Sequence, residues 1–252
     1  MKALIFAAGL GTRLKPITDT MPKALVPVAG RPLLHHVAHK IIDAGISDIV
    51  INAHHFAGQI VGYVASQDGF GVHTDISVEE ERPLETGGGI KKARKFLEGD
   101  DFLVHNVDIL SNLDIRWFIS QARPDAVATL LVSERKTTRY LLFDESMRLK
   151  GWTNVKTGEI KTPFPVEDLS GCRRLAFSGI HFISSRIFGI MDGYAAEDAF
   201  PIIDFYLRIA AQHPIYGVIP ENFKMMDVGK VDSLAAAEGF LAELEPEGGF
   251  GK

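Results

Sequence analysis

Apolar and polar positions over the first 105 residues predict strands and helices in alternation. Short apolar runs are typical of buried strands, whereas apolar residues three and four positions apart indicate the buried face of a helix. One helix is well delimited, since Pro32 stands at its start and Gly45 at its end. The other predicted helices are 56–65 and 90–97, and the predicted strands are 3–8, 48–52, 72–78 and 102–105. This order predicts a parallel sheet with helices on both faces.

The second half of the chain has short apolar runs separated by turn residues, which is more typical of antiparallel strands. The predicted strands are 126–132, 140–144, 149–152, 177–183, 215–219 and 224–228, and the predicted helices are 200–211 and 231–244. No long linker interrupts the pattern. We therefore expect a single domain over residues 1–252, made of two halves at about 1–115 and 116–244, with 245–252 as a frayed tail.

Composition and charge narrow the class of protein. A chain of 252 residues with 46% hydrophobic and 23% charged residues is typical of a soluble domain with a sizeable core. The net charge of −5 argues against a nucleic-acid partner, whose binding face would be basic. No apolar run reaches the roughly 18 residues of a membrane span. The single cysteine, Cys172, and the strand that starts near Met1 without room for a signal peptide both favour the cytoplasm.

A glycine-rich turn follows the first predicted strand. Residues 8–13 read Ala-Gly-Leu-Gly-Thr-Arg, and Lys23 follows ten residues after Arg13. Glycine lets backbone N–H groups approach a polyphosphate, and the two cations can neutralise phosphate charge. The turn is not a Walker A loop, because no Gly-Lys-Ser/Thr follows. It is not a dinucleotide fingerprint either, because Leu14 stands where the third glycine would be.

Three other segments have the composition of a ligand site. Residues 84–90 read Leu-Glu-Thr-Gly-Gly-Gly-Ile, so that three glycines precede the predicted helix 90–97 and its free N–H groups. Asp108 and Asp227 each follow an apolar strand, and two carboxylates brought together offer the oxygen ligands that Mg²⁺ prefers. Gly179 interrupts an apolar strand, which indicates close approach of a ligand or a β-bulge.

The glycine turn and the segment after it resemble a known family. Gly-x-Gly-Thr-Arg-Leu at 9–14 followed by Pro-Lys-x-Leu-x-Pro-Val at 22–28 is similar to the signature of the sugar-1-phosphate nucleotidylyltransferases. The resemblance covers about residues 1–240. It implies a three-layer α/β/α sandwich of the nucleotide-diphospho-sugar transferase type, with a mixed, mostly parallel central sheet. It also implies Mg²⁺ as the cofactor and transfer of a nucleotidyl group from an NTP to a sugar 1-phosphate.

The resemblance assigns roles to individual residues. The implied catalytic residues are Arg13, Lys23 and Asp108. The implied nucleotide-binding residues, mostly in the half at about 1–115, are Ala8, Gly9, Gly11, Thr12, Arg13, Lys23, Glu85, Thr86, Gly87 and Gly88. The implied sugar-binding residues are Asn106, Ser178 and Gly179, and the implied Mg²⁺ ligands are Asp108 and Asp227. The half at about 116–244 is expected to contribute to the sugar and metal sites, in a monomer or homodimer with no membrane partner.

The substrates are less strongly implied than the reaction. Many relatives read Leu-Gly-Thr-Ala-Gly-Ala where this chain has residues 84–89, and the sequence here is more similar to N-acetylmuramate α-1-phosphate uridylyltransferases. UTP and N-acetylmuramate 1-phosphate are therefore the expected substrates, in cell-wall sugar recycling. A mannose- or heptose-1-phosphate guanylyltransferase is the alternative. A glucose-1-phosphate uridylyl- or thymidylyltransferase is disfavoured, because the family's Val-Glu-Lys-Pro is missing near 151–156. A non-catalytic regulatory subunit that binds nucleotide sugars is the alternative from another class.

Overall fold

The computed structural model describes residues 1–193 and 198–244, so the predicted tail at 245–252 lies outside the described residues. Its strands, in chain order, are β1 (Lys2–Phe6), β2 (Pro27–Val28), β3 (Arg31–Pro32), β4 (Asp48–Ala53), β5 (His73–Val78), β6 (Phe102–Asn106), β7 (Ile109–Ser111), β8 (Ala128–Ser133), β9 (Arg139–Phe143), β10 (Leu149–Asn154), β11 (Glu159–Lys161), β12 (Arg173–Ile183), β13 (Ile215–Val218) and β14 (Met225–Asp227). Its α-helices are α1 (Leu33–Asp43), α2 (Ala57–Ser66), α3 (Glu85–Lys92), α4 (Arg94–Leu97), α5 (Ile115–Ser120), α6 (Ile187–Asp192), α7 (Ile202–Ile209) and α8 (Val231–Leu244).

A mixed sheet runs through the centre of the molecule. Its main path has the order β11-β10-β9-β12-β6-β1-β4-β5, and β8 and β13 join it beside β12. The strands β6, β1, β4 and β5 are parallel, as the alternation of strands and helices predicts, whereas β12 is antiparallel to β6, β8 and β9. The parallel strands therefore end at one common edge, and β12 adds a strand of opposite direction beside it.

Helices cover both faces of this sheet. One core cluster joins the sheet to α1, α2, α5 and α8 through residues such as Leu34, Ile60 and Phe118. The other joins it to α3, α4, α6 and α7 through residues such as Ile90 and Phe188. The arrangement confirms the predicted α/β fold with a mixed, mostly parallel central sheet between two helical layers. In the part of the chain that the structure describes, no helix has both the length and the apolar character needed to cross a membrane.

The glycine segment 84–90 differs from its prediction. The helix was expected to begin at Ile90, but α3 begins at Glu85 and contains all three glycines. Glycine disfavours helix by about 1 kcal/mol per residue, so the local sequence argued against this start. Tertiary packing overrides the preference, because Gly87 and Gly88 are buried against the segment that precedes α7.

Candidate active site

A cavity of about 510 Å³ opens at the carboxyl edge of the parallel strands. It lies beside the ends of β1, β4 and β6, where a doubly wound sheet offers space for a ligand. Its lining combines the glycine turn after β1, the segment before α3, the end of β6 and the loop after β14. The lining residues are Phe6, Ala8, Gly9, Leu10, Gly11, Thr12, Arg13, Lys23, Asn52, Glu79, Pro83, Glu85, Thr86, Asn106, Val107, Asp108 and Gly229.

The glycine turn is held open by contacts that a larger residue would disturb. Gly11 has φ +64°, and a Cβ at this position would lie 2.8 Å from Thr18 Cγ2. The Thr18 hydroxyl donates to the Gly11 carbonyl at 2.8 Å, and Leu14 anchors the following turn in the core with no exposed surface. The turn therefore presents backbone at 8–12 to the cavity and leaves Arg13 exposed at its rim.

Two cations and two carboxylates meet at the end of β6. Lys23 Nζ donates to Asp108 Oδ2, and both side chains are largely buried. Strand β14 pairs with β7 so that Asp227 lies opposite Ile109, and the Val228 N–H donates to the Asp108 carbonyl at 2.8 Å. The antiparallel pair thus brings together two aspartates that are far apart in sequence.

Gly229 marks the point where these groups converge. A Cβ on this residue would lie 2.5 Å from Asp227 Oδ1, 2.7 Å from Arg13 Nη2 and 3.3 Å from Lys23 Nζ. The predicted catalytic and metal-binding residues therefore surround one small space next to the cavity. This arrangement is compatible with the catalytic and metal-binding roles predicted for these residues, and the roles themselves stay predictions.

The donor set at this point suits Mg²⁺. Asp108 already accepts a cation, the Lys23 ammonium, and Asp227 lies against the same space. In the described residues no group of three or more His, Cys, Asp or Glu side chains could hold a metal ion. Mg²⁺ binds one or two carboxylates, keeps several waters and takes further oxygens from substrate phosphates, so a pair of aspartates fits this ion. Asp108 and Asp227 are the residues that would hold it.

The start of α3 lines the cavity with two of its four predicted nucleotide-binding residues. Glu85 and Thr86 face the cavity, and the Thr86 hydroxyl also accepts from the Ile202 N–H at the start of α7. The N–H groups of Gly87 and Gly88 instead donate to the Phe200 carbonyl at 2.8 and 3.3 Å. A Cβ at Gly88 would lie 2.1 Å from the Asp198 carbonyl oxygen, so close helix packing explains this glycine. Contact of Gly87 and Gly88 with a nucleotide stays a prediction.

Glu79 is a further residue of the cavity. It begins a run of three glutamates, 79–81, a pattern typical of a solvated strand end, but only 3% of its surface is exposed and it lines the cavity. Asn52 Nδ2 donates to Glu79 Oε1 at 2.8 Å, and the Leu84 N–H donates to Oε2 at 2.7 Å. Glu79 therefore fixes the start of α3 to the end of β4. The signal available in the sequence was its place as the first polar residue after a predicted strand.

The predicted sugar-binding residues lie where β12 passes the end of β6. Gly179 has φ +73°, and a Cβ on it would lie 2.8 Å from Asn106 Nδ2. The pairing of β12 with β8 shifts register between Phe177 and His181, so this glycine is part of a bulge. Asn106 lines the cavity, and Ser178 Oγ is buried with no hydrogen-bond partner among the described residues. The structure brings Asn106 and Gly179 together, and their contact with a sugar stays a prediction.

Buried histidines flank this part of the sheet. Burial lowers the pKa of His105, which directly precedes Asn106, to about 4, although its hydrogen bond to the Asn106 carbonyl opposes the shift. Burial likewise lowers the pKa of His181 to about 3, and its Nδ1 lies 2.7 Å from the Tyr206 hydroxyl. Both imidazoles are therefore neutral at pH 7 and add no positive charge beside the two aspartates and the two cations.

Comparison with known proteins identifies relatives over most of the chain. Residues 2–147 match the family model described as Nucleotidyl transferase. N-acetylmuramate alpha-1-phosphate uridylyltransferase of Caulobacter vibrioides is 33% identical over 249 residues, which cover 96% of this chain and 97% of that protein. Mannose-1-phosphate guanyltransferase of Gibberella zeae is 38% identical over 113 residues, which cover 44% of this chain and 31% of that protein.

A solved structure has the same fold. HddC from Yersinia pseudotuberculosis, complexed with GMP-PN, superposes with a TM-score of 0.73 at 23% identity, covering 95% of this chain and 99% of that chain. The family match includes the glycine turn, Lys23 and Asp108, which line or border the cavity described above. The chain belongs to the nucleotidyl transferase family and is an enzyme of that class.

Proposed function

We propose that this protein transfers a nucleotidyl group from an NTP to a sugar 1-phosphate, with UTP and N-acetylmuramate 1-phosphate as its substrates and Mg²⁺ as its cofactor. The observation that carries the proposal is the convergence of Arg13, Lys23, Asp108 and Asp227 around Gly229, beside a cavity at the carboxyl edge of the sheet. Two cations and two carboxylates in one small space suit a triphosphate and its metal better than a neutral ligand.

The reaction requires positioning and charge neutralisation but no covalent enzyme intermediate. A phosphate oxygen of the sugar 1-phosphate attacks the α-phosphorus of the NTP in line. The bond from that phosphorus to the bridging oxygen of the β-phosphate breaks, and pyrophosphate leaves with the electron pair. Arg13 at the rim binds the β- and γ-phosphates, and Lys23 neutralises charge near the α-phosphate. When bound at Asp108 and Asp227, Mg²⁺ supplies further positive charge to the phosphates.

The rest of the cavity divides into two ends. The glycine turn and the start of α3 offer backbone and the Glu85 and Thr86 side chains to the nucleoside. Asn106 lines the cavity two residues before Asp108, and the Gly179 bulge lies against Asn106, so the sugar would extend from its phosphate toward these two residues. This division gives the nucleotide and the sugar separate walls with the phosphates between them.

The choice of substrates is supported by one relative in particular. The Caulobacter protein aligns over 96% of this chain, and its name specifies N-acetylmuramate 1-phosphate and uridylyl transfer. A mannose-1-phosphate guanylyltransferase is the second candidate, because the Gibberella protein of that name is 38% identical over its shorter match. The retained Arg13, Lys23, Asp108 and Asp227 argue against a non-catalytic regulatory subunit.

A pyrophosphate-release screen tests the proposal. Four NTPs are each combined with N-acetylmuramate, N-acetylglucosamine, glucose and mannose 1-phosphates, with and without EDTA. We expect release with UTP and N-acetylmuramate 1-phosphate, and loss of release in EDTA. Preference for GTP and mannose 1-phosphate would contradict the proposed substrates and leave the proposed reaction in place. No pyrophosphate release from any pair would contradict the proposed reaction itself.

A further inference from the structure

Strand β12 extends beyond the end of the parallel sheet. Ile180 pairs with His105, so Gly179 lies beside Asn106, where β6 ends. Residues 173–177 continue past this point and pair with β9 and with the end of β8. Phe177 and Gly179 are two positions apart, with only Ser178 between them, which corresponds to about 7 Å along a strand. The extension, residues 173–177, therefore forms a wall that begins beside Asn106 and Gly179 and continues past the end of β6.

Arg135 stands on this wall. It follows the end of β8, and its Nη2 donates to the Phe177 carbonyl at 3.0 Å, which fixes the guanidinium beside the strand that contains Gly179. The side chain is otherwise exposed. A single neutral acceptor uses one of the five N–H donors of a guanidinium, so most of its fork is free for another group.

The acidic residue next to Arg135 in the chain, Glu134, is paired with a different arginine. Glu134 Oε1 accepts from Arg173 Nη2 at 2.9 Å, although Glu134 directly precedes Arg135 in the chain. Within residues 1–193 and 198–244, Arg135 forms no ion pair with an acidic side chain. A held guanidinium with free donors and without a carboxylate partner is suited to bind the carboxylate of a ligand in bidentate geometry.

We propose that Arg135 is a specificity-determining residue that binds the lactyl carboxylate of the sugar 1-phosphate. This inference rests on the proposed function, since it concerns the sugar half of the same site. N-acetylmuramate differs from N-acetylglucosamine by a lactyl ether at C3, two ring positions from the phosphate at C1. With the phosphate near Asp108 and the ring beside Asn106 and Gly179, this binding requires the C3 substituent to extend along β12 toward the Phe177 carbonyl, where Arg135 is held.

The test uses two substrates that differ only in the lactyl group. kcat/KM is measured with UTP for N-acetylmuramate 1-phosphate and for N-acetylglucosamine 1-phosphate, and their ratio is compared between the wild type and Arg135→Gln. A charge-assisted hydrogen bond accounts for about a tenfold preference or more. We expect the ratio to fall about tenfold in Arg135→Gln and to recover in part in Arg135→Lys, which keeps the charge and loses the fork.

Lys136→Gln is the matched control, because Lys136 is the adjacent exposed cation and its removal changes net charge equally. Its ratio is expected to equal that of the wild type. An unchanged ratio in Arg135→Gln, an equal loss of activity on both sugars, or the same fall in Lys136→Gln would overturn the inference and leave the proposed function in place. A wild type that does not prefer the lactyl sugar would overturn the proposed substrate together with this role of Arg135.

Discussion

Replacing Gly229 by alanine should lower the catalytic activity of this enzyme and leave its free energy of unfolding almost unchanged. The added Cβ would lie 2.5 Å from Asp227 Oδ1 and 2.7 Å from Arg13 Nη2, whereas ordinary contact begins at 3.4 Å. The carboxylate must therefore move by about 0.9 Å and the guanidinium by about 0.7 Å. Both atoms are the ends of flexible side chains, so the backbone does not need to move.

The expected effect on catalysis is large. A displacement of about 1 Å in a positioning group costs on the order of a hundredfold in rate, which corresponds to about 2.7 kcal/mol of activation free energy. The new methyl group would also lie 3.3 Å from Lys23 Nζ, so the methyl group cannot shift toward Lys23 to relieve its contacts with Asp227 and Arg13. We expect kcat/KM for the NTP to fall about a hundredfold while the free energy of unfolding changes by less than about 1 kcal/mol.

Steady-state pyrophosphate release and urea unfolding of the same preparations measure the two quantities. Gly62→Ala, inside α2, is the control for an added methyl group that meets nothing within 4 Å; it should leave activity unchanged and raise stability by up to about 1 kcal/mol, because alanine favours helix over glycine. Gly88→Ala is the opposite control, because its Cβ would meet the Asp198 backbone at 2.1 Å, and it should lose about 1–3 kcal/mol of stability. Activity of Gly229→Ala within threefold of the wild type would refute the assignment of the convergence point as the reaction centre.

Asp108→Asn should lower turnover at least about a hundredfold without unfolding the protein, and near-normal wild-type activity in EDTA would contradict the metal assignment. Arg13→Ala should lower kcat/KM for the NTP, and Arg13→Lys should restore it incompletely because the planar fork is lost; an unchanged kcat/KM in Arg13→Ala would exclude the phosphate contact. In competition assays UTP should exceed GTP by more than about tenfold in kcat/KM, which requires only about 1.4 kcal/mol. The free energy of unfolding should decrease as pH falls from about 6.5, because the unfolded chain protonates His105 and His181 while the folded pKa values are about 4 and 3. At pH 5 the loss reaches at most about 2 kcal/mol per histidine, and urea unfolding that is independent of pH would contradict it.

The local sequence pattern predicted the strands and helices well wherever the local preference of the residues agrees with the observed fold. Every strand expected in the parallel half is present, and α8 has the predicted limits, 231–244. The glycine turn after β1 and Asp108 after β6 were also identifiable, because polar residues at the strand ends of a parallel sheet gather at one edge. Asp227, the last residue of β14, was identifiable from the short strand that it ends.

Long-range contacts account for what the sequence did not reveal. The three glycines of α3 were expected to precede the helix, and only their packing against Phe200 explains why they lie inside it. Glu79 resembled a solvated glutamate, and its burial depends on Asn52, which is 27 residues away. The partner of Asp108 in the free enzyme, Lys23, was predicted as a phosphate ligand and not as an ion-pair partner. Each of these facts requires knowledge of which distant segments meet.

The pairing of β7 with β14 sets a time at which the enzyme becomes complete. This two-stranded sheet brings Asp227 next to Asp108, which directly precedes β7, yet the two aspartates are 119 positions apart along the chain. At roughly 5–20 residues per second, a ribosome needs about 6 to 24 seconds to synthesise the interval between them. During that time the growing chain already has its glycine turn, Arg13, Lys23 and the first carboxylate, but not the second. A nascent chain can therefore acquire its phosphate cations well before it acquires a full pair of acidic groups, and turnover should begin only when β14 has emerged and paired.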